Sequence, residues 1–221
     1  MTYAGAVIGI RARGVVRGEV PHTSIEAMAA DYLREIKERQ PNGPYYLCGY
    51  SSGGPVAFEI ARRLSESGDE VGLVGLFDTT MSPRRWPLRA WLSILARRIA
   101  FLAAALRATP IRTWRAGLRK SAERLRVWHG TLGAAPSIAI RVAASALIAS
   151  AEYHPGFYRG QLTLFSRREP GLPSLESVWR KHARKVVVVE TAGTHATMLS
   201  TLNAETTATC VTRHLPAANP V

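Results

Sequence analysis

Residues 44–64 read PYYLCGYSSGGPVAFEIARRL, a stretch that joins an apolar run to a helical pattern through a cluster of small residues. The apolar run PYYLC predicts a β-strand, and the following residues predict a helix that ends at Gly68. Between them lies G-x-S-x-G, with Gly49 and Gly53 placed two residues before and two residues after Ser51. A strand, a tight turn of small residues and a helix form the context of a nucleophile elbow. The stretch therefore predicts that Ser51 is an attacking group on an α/β sheet.

Short β-rich runs and helical patterns alternate along the chain, which predicts a mostly parallel sheet with crossover helices. The predicted strands span residues 6–10, 44–50, 71–77, 161–165 and 185–190, and the predicted helices between the first three span residues 23–40 and 52–67. Helical patterns at 88–107, 111–128 and 137–152 then interrupt the alternation. We interpret them as a lid insertion at about 81–150 within a single α/β domain that spans residues 1–221.

Length and charge narrow the class of protein. The 221 residues, 47% of them hydrophobic, suffice for one substantial core. The formal net charge is +13, and between Met81 and Arg141 there are thirteen Lys and Arg residues against one acid, Glu123. A basic face attracts nucleic acid, anionic lipid or an acidic protein surface. Charge alone does not choose among these partners.

Cysteine usage and hydropathy bear on location. Cys48 and Cys210 are too few for a disulfide framework, which favours the cytoplasm, and the apolar neighbours of Cys48 predict that it is buried. The N-terminus has no cationic start followed by a long apolar run, so we expect no secretory signal. The most membrane-like window, residues 88–107, contains several arginines, each of which costs about 2.5–3.5 kcal/mol near a bilayer centre. We therefore expect no transmembrane segment.

A serine nucleophile needs a base, and the base needs an acid that orients it. His195 follows the last predicted strand in a loop of small residues, AGTHATM, where this architecture places its histidine. Two acids compete for the third role. Asp78 ends the strand VGLVGLF with no basic neighbour in sequence, whereas Glu169 follows the strand at 161–165 beside two arginines. The pattern favours Asp78 and leaves Glu169 as the alternative.

Ser52 lies next to Ser51, but the glycine spacing selects Ser51 as the nucleophile. We expect Ser52 to contribute its backbone N–H to an oxyanion hole, since a helix that starts here aims its N–H groups and its dipole at the developing charge.

Four segments together resemble the thioesterase domains of nonribosomal peptide and polyketide synthases, which belong to the α/β-hydrolase superfamily. These segments are HTSIEAMAADYLREIKERQPNGPYYLCGYSSGGPVAFEIARRL, LVGLFDTT, YRGQLTLFSRRE and ETAGTHATML. The resemblance implies an α/β-hydrolase fold and a catalytic triad of Ser51, Asp78 and His195. It also implies a substrate carried on the phosphopantetheine arm of an acyl or peptidyl carrier protein, possible membership of a multimodular synthase, no directly bound cofactor and no metal.

One departure from this family concerns the N-terminus. Its members begin with a further strand and a glycine-containing loop, which supplies a second oxyanion N–H, before the strand matched here by residues 6–10. The resemblance therefore predicts an N-terminally truncated domain. Two alternatives stay open: a free-standing carboxylesterase or lipase, and an inactive fragment that only binds a carrier protein. Nucleic-acid binding is not expected, because no recognised nucleic-acid module is present.

Overall fold

The computed structural model describes residues 6–81, 138–167 and 174–215, together with residues 88, 92, 95, 96, 99 and 100. Within these ranges the elements follow in the order α1 (Ile25–Arg39), β1 (Tyr45–Tyr50), α2 (Gly53–Glu66), β2 (Val71–Phe77), α3 (Ile138–Glu152), β3 (Tyr158–Ser166), α4 (Leu175–Trp179), β4 (Ala183–Glu190) and α5 (Ala204–Thr212).

The four strands form one parallel sheet in the order β1-β2-β3-β4. Their last residues lie level, since Tyr50 pairs with Phe77, Phe77 with Phe165, and Phe165 with Val189. The predicted strands at 44–50, 71–77, 161–165 and 185–190 and their parallel pairing are confirmed. Residues that leave the sheet at its carboxyl edge are thereby brought side by side, which is where open α/β sheets bind ligands.

The main core lies between the sheet and α1, α2, α3 and α4. Helix α1 begins where Ser24 Oγ accepts a hydrogen bond from the N–H of Ala27 at 3.2 Å, which makes Ser24 its N-cap. Helix α2 buries nearly its whole length against the sheet, and its Phe58 ring lies 5.0 Å from that of Trp179 in α4. Both aromatic side chains are fully buried. The helix that carries the elbow is therefore held by tight apolar packing.

The opposite face of the sheet has a smaller cluster, in which Phe77, Phe165 and Met198 pack against residues of α5. Cys48 lies on this same side of β1, because side chains alternate along a strand and Leu47 points into the main core. The predicted burial of Cys48 is wrong: the residue is exposed. An apolar run in sequence does not show which of its residues face an uncovered part of a sheet.

The predicted strand at residues 6–10 is also wrong. These residues have no strand pairing with any described part of the chain, and Val7 is 88% exposed. A strand is stabilised by the hydrogen bonds of a neighbour, and β1 is the end strand of the described sheet. Hydrogen bonds hold the segment that follows, residues 11–19. Arg11 donates two hydrogen bonds of 2.8 Å to the Glu19 carboxylate, which also accepts one from the N–H of Gly14.

Part of the predicted lid insertion lies within the described residues. The third predicted helix, at 137–152, is confirmed as α3. The described positions between 88 and 100 are helical, whereas the rest of the helix at 88–107 and all of that at 111–128 lie outside the described residues. Among the helices that the structure describes, none has the length and apolar character needed to span a membrane.

A buried polar network joins the end of α3 to the elbow helix α2. Glu59, which is 2% exposed, accepts hydrogen bonds from Arg62, from Arg63 and, at 2.8 Å, from the hydroxyl of Tyr153. Burial raises the pKa of Glu59, but the hydrogen bonds from its three partners outweigh burial and leave this pKa below its usual value. The residue that follows α3 is thus fastened to α2 beneath the elbow.

Candidate active site

Four consecutive parallel strands each deliver one polar residue to the carboxyl edge of the sheet. Ser51 follows β1, Asp78 follows β2, Arg167 follows β3, and His195 lies five residues beyond β4. This edge is the position from which side chains of different strands converge. Although Ser51 and His195 are 144 residues apart in the chain, the strand order places them in contact.

His195 joins the serine to the aspartate. Its Nε2 lies 3.1 Å from Ser51 Oγ, and its Nδ1 lies 2.6 Å from Asp78 Oδ2. With a proton on Nδ1, the ring donates to Asp78 and leaves Nε2 free to accept the serine proton. These are the distances and the order of contacts that a Ser–His–Asp relay requires. The sequence predicted these three residues, and the structure brings them together.

Backbone geometry presents Ser51 at the turn. Its φ is +52°, in the left-handed region that non-glycine residues seldom adopt. The N–H of Ser51 donates to the carbonyl of Phe77 at 3.0 Å, and its own carbonyl accepts from the N–H of Gly54 at 3.1 Å. The surrounding hydrogen bonds therefore hold a conformation that would otherwise be costly.

The glycines of the elbow do not have equal roles. A Cβ on Gly49 would lie 2.4 Å from the carbonyl oxygen of Gly53, and one on Gly54 would lie 2.1 Å from Thr79 Oγ1. A Cβ on Gly53 would meet nothing within 4 Å. The tight turn therefore requires the absence of a side chain at Gly49 and at Gly54, whereas Gly53 of the G-x-S-x-G motif is under no such steric requirement.

Asp78 is also held in the left-handed region, with a φ of +42°, and it is only 8% exposed. Its N–H donates to the carbonyl of Phe165 at 2.8 Å. The next residue, Thr79, is fully buried, and its hydroxyl lies 3.3 Å from the Ser51 carbonyl and 3.1 Å from that of Phe77. Thr79 thus links the end of β2 to the turn at Ser51, a contact that no sequence pattern indicates.

The side chain of His195 is 44% exposed and belongs to an irregular loop. The loop is closed on itself by Thr197, whose Oγ1 accepts from the N–H of Thr194 at 2.8 Å and whose carbonyl accepts from Asn203 Nδ2 at 2.9 Å. Buried Met198 anchors it to the sheet. Side-chain hydrogen bonds and one apolar contact therefore position the histidine.

Arg167 is a member of the site that sequence reasoning missed. Its Nε lies 3.3 Å from Asp78 Oδ2, the oxygen that also contacts His195. Asp78 has no basic neighbour in sequence but does have one in space, because β3 lies beside β2. The position of Arg167 directly after a strand was the available signal. The alternative acid, Glu169, lies outside the described residues.

Ser52 stands as the N-cap of α2, with no hydrogen bond from its own side chain to the helix. Its location one residue after Ser51 puts its N–H at the start of a 14-residue helix, where helix N–H groups concentrate positive potential. Among the described residues, no group of three or more His, Cys, Asp or Glu side chains is arranged to hold a metal ion.

A family model described as Thioesterase domain matches residues 1–215 of the chain. The chain belongs to the thioesterase domain family. The predicted resemblance is thereby confirmed. Among curated proteins, this thioesterase domain is similar to the nonribosomal peptide synthetase pngA of Aspergillus terreus, with 45% identity over 91 residues that make up 40% of the chain and 10% of that protein. It spans a tenth or less of the length of the curated relatives that it matches.

Solved structures support the fold. The NocB thioesterase domain, in covalent complex with a fluorophosphonate nocardicin G analogue, has a TM-score of 0.56 at 24% identity and covers 89% of this chain and 76% of that one. The RedJ thioesterase of the prodiginine pathway of Streptomyces coelicolor has a TM-score of 0.59 at 19% identity and covers 95% and 76%. The predicted α/β-hydrolase fold is confirmed.

Proposed function

We propose that this thioesterase domain releases an acyl or peptidyl chain from a carrier-bound thioester through an acyl-enzyme on Ser51. The observation that carries the proposal is the placement of His195, which contacts both Ser51 Oγ and Asp78. Membership of the thioesterase domain family supports a thiol as the leaving group. Related nonribosomal peptide synthetases support a substrate built by nonribosomal peptide synthesis.

In the first half-reaction, Ser51 Oγ attacks the thioester carbonyl carbon while His195 Nε2 takes the hydroxyl proton. Asp78 accepts a hydrogen bond from Nδ1 and stabilises the imidazolium. The carbon–sulfur bond then breaks, and the proton on Nε2 passes to the leaving thiolate. The products are a free thiol and an ester between the acyl chain and Ser51.

In the second half-reaction, a nucleophile attacks the ester carbonyl and gives its proton to His195. Water yields a carboxylic acid, and a hydroxyl or amine of the acyl chain itself yields a ring. The bond to Ser51 breaks, and His195 returns the proton to Ser51 Oγ. In both half-reactions the Ser52 N–H, at the start of α2, stabilises the developing oxyanion.

The thiol is proposed to be the phosphopantetheine arm of an acyl or peptidyl carrier protein. The net charge of +13 supports an acidic partner, since complementary charge speeds encounter between proteins. The arm belongs to the carrier as part of the substrate, so the proposal requires no cofactor on this chain.

The proposal is tested by comparing wild type, Ser51→Ala and Ser52→Ala on an acyl-pantetheine thioester and on an oxygen ester of the same acyl chain. We expect Ser51→Ala to lower kcat by about 10⁴-fold or more. Ser52→Ala should keep at least about a tenth of the activity, since it retains the backbone N–H and the Ser52 side chain does not cap the helix.

The outcomes separate the competing functions. A preference of the wild type for the thioester supports the proposal, whereas a clear preference for the oxygen ester contradicts it and favours a carboxylesterase or lipase. A third outcome would also contradict it: a serine-directed fluorophosphonate fails to label Ser51 although the chain still binds an acidic carrier protein. That result would favour an inactive binding domain.

A further inference from the structure

Tyr50 contacts His195 in two ways that the reaction scheme does not use. Its ring stacks on the imidazole, with centroids 5.0 Å apart and an interplanar angle of 22°. Its hydroxyl donates a hydrogen bond to the backbone carbonyl of His195. One side chain therefore touches both the reacting ring and the main chain that carries it.

The remaining contacts of the imidazole explain why a further support matters. Asp78 and Ser51 hold the two ring nitrogens and so fix them along one line through the ring. Rotation about that line, and tilting of the ring out of its plane, are resisted by contacts on a ring face. Tyr50 supplies such a contact to the His195 ring, and the side chain of His195 is 44% exposed.

Tyr50 is itself held firmly. It is the last residue of β1, pairs with Phe77, and packs against the cluster of Phe77, Phe165 and Met198. It also directly precedes Ser51 in the chain. A shift of the elbow would therefore move Tyr50 and, through it, the histidine loop.

We infer that Tyr50 is a positioning residue, which fixes the ring of His195 by stacking and fixes its loop through the hydroxyl. The inference rests on the proposed function, because positioning matters for turnover only when His195 is the base. Loss of such alignment lowers the rate of proton transfer, and a displacement of about 1 Å in a reacting group costs on the order of a hundredfold.

Two variants separate the two contacts. Tyr50→Phe removes the hydroxyl but keeps the ring, and we expect kcat to fall about tenfold. Tyr50→Leu removes both contacts, and we expect a fall of about a hundredfold. KM should change less than about twofold in either variant, since uniform binding of the acyl chain is untouched. The matched controls are Tyr46→Phe and Tyr46→Leu, because Tyr46 lies on the same face of β1 but outside the site.

Rates are expressed per serine titrated with a fluorophosphonate, so that misfolded protein does not count. Amide hydrogen exchange of residues 191–200 is measured in parallel, and it does not depend on activity. The inference predicts faster exchange in this loop in Tyr50→Phe and faster still in Tyr50→Leu, with no change in either Tyr46 variant.

Unchanged kcat per titrated serine together with unchanged exchange in both Tyr50 variants would overturn the inference while leaving the proposed function intact. A fall in the titrated fraction alone, with normal kcat per serine, would also overturn it, since that pattern indicates a purely structural role. If wild type neither turns over nor reacts with the fluorophosphonate, the proposed function fails. The exchange of residues 191–200 then still decides whether Tyr50 holds the loop.

Discussion

The two halves of the site are built by different means. Ser51 lies between a strand and a helix, in a left-handed backbone conformation that backbone hydrogen bonds hold. A Cβ at Gly49 or at Gly54 would clash with neighbouring atoms. His195 lies on an irregular loop and is partly exposed. Side-chain hydrogen bonds within the loop hold it, and the apolar packing of the buried Met198 anchors it to the sheet. Main chain and steric constraints position Ser51, whereas side chains position His195.

This difference determines how each half responds to substitution. A Cβ added at the tight turn destabilises the fold in a single large step, because removal of the steric clash requires movement of the packed helix α2. A loop held by several hydrogen bonds loses them one at a time, and each loss shifts the histidine by a small amount. We therefore expect substitutions in the elbow to lower the free energy of unfolding strongly, and substitutions in the loop to lower kcat by graded amounts.

The largest effect on turnover is expected from Asp78→Asn. A neutral amide neither stabilises the imidazolium nor enforces the Nδ1 tautomer, so kcat should fall by about 10⁴-fold. The measurement is steady-state hydrolysis of an acyl-pantetheine thioester. Asp69→Asn is the matched control, since Asp69 lies away from the site and its Oδ1 is 2.6 Å from Lys37 Nζ. The kcat of this variant should stay within about twofold of the wild-type value. A loss below tenfold in Asp78→Asn would rule out the relay.

The glycines of the elbow give the next largest effect, on stability. Gly49→Ala forces a Cβ to within 2.4 Å of the Gly53 carbonyl oxygen, and we expect it to lower the free energy of unfolding by about 3 kcal/mol or more. Gly53→Ala, in the same motif, meets nothing within 4 Å and should change this free energy by less than about 1 kcal/mol. Urea denaturation measures the free energy of unfolding of both variants. Equal decreases would show that steric clash does not distinguish Gly49 from Gly53.

A smaller effect is expected from the loop. Thr197→Val removes the acceptor for the Thr194 N–H, which should lower the free energy of unfolding by about 1–2 kcal/mol and lower kcat about fivefold. Thr206→Val, at an exposed position of α5, is the control. If Thr197→Val alters stability but leaves kcat per titrated serine at the wild-type value, the loop does not position His195 through this bond.

The smallest effect is expected beneath the elbow, at Tyr153→Phe. The change removes one of the hydrogen bonds to Glu59 while both arginines remain, so the free energy of unfolding should fall by about 1 kcal/mol at pH 7. The Glu59 carboxylate has a lowered pKa in the folded state, so its contribution is present above its unfolded pKa and is lost as pH falls through the folded one. The difference between variant and wild type should therefore narrow in acid. A difference independent of pH would show that the hydroxyl does not act through the carboxylate.

The sequence predicted the parts of the site that local pattern determines. Ser51 follows from its strand, glycines and helix, and His195 from its position after the last strand, because parallel strands end at a common edge. The pattern favoured Asp78 but left Glu169 open, and the resemblance to thioesterase domains chose Asp78. The position of Arg167 after a strand indicated that it reaches the same edge, but its contact with Asp78 was not predictable, since it depends on which strands are neighbours. The contact of Tyr50 with His195 depends on how a distant loop returns.

Two errors have the same origin. Residues 6–10 have the composition of a strand but pair with no described strand, and Cys48 has apolar neighbours in sequence but faces an uncovered part of the sheet. Hydrophobic pattern reports what a segment prefers to bury. It does not report whether another element is there to cover it.

Transfer of the acyl chain to Ser51 itself can be observed directly. Wild-type protein is mixed with an acyl-pantetheine thioester, quenched in acid during turnover, and digested, and the acylated residue is located from peptide fragment masses. We expect the acyl group on Ser51 oxygen, and its absence in Ser51→Ala. An acyl group on Ser52 or on the exposed Cys48, or turnover with no acylated peptide, would contradict it.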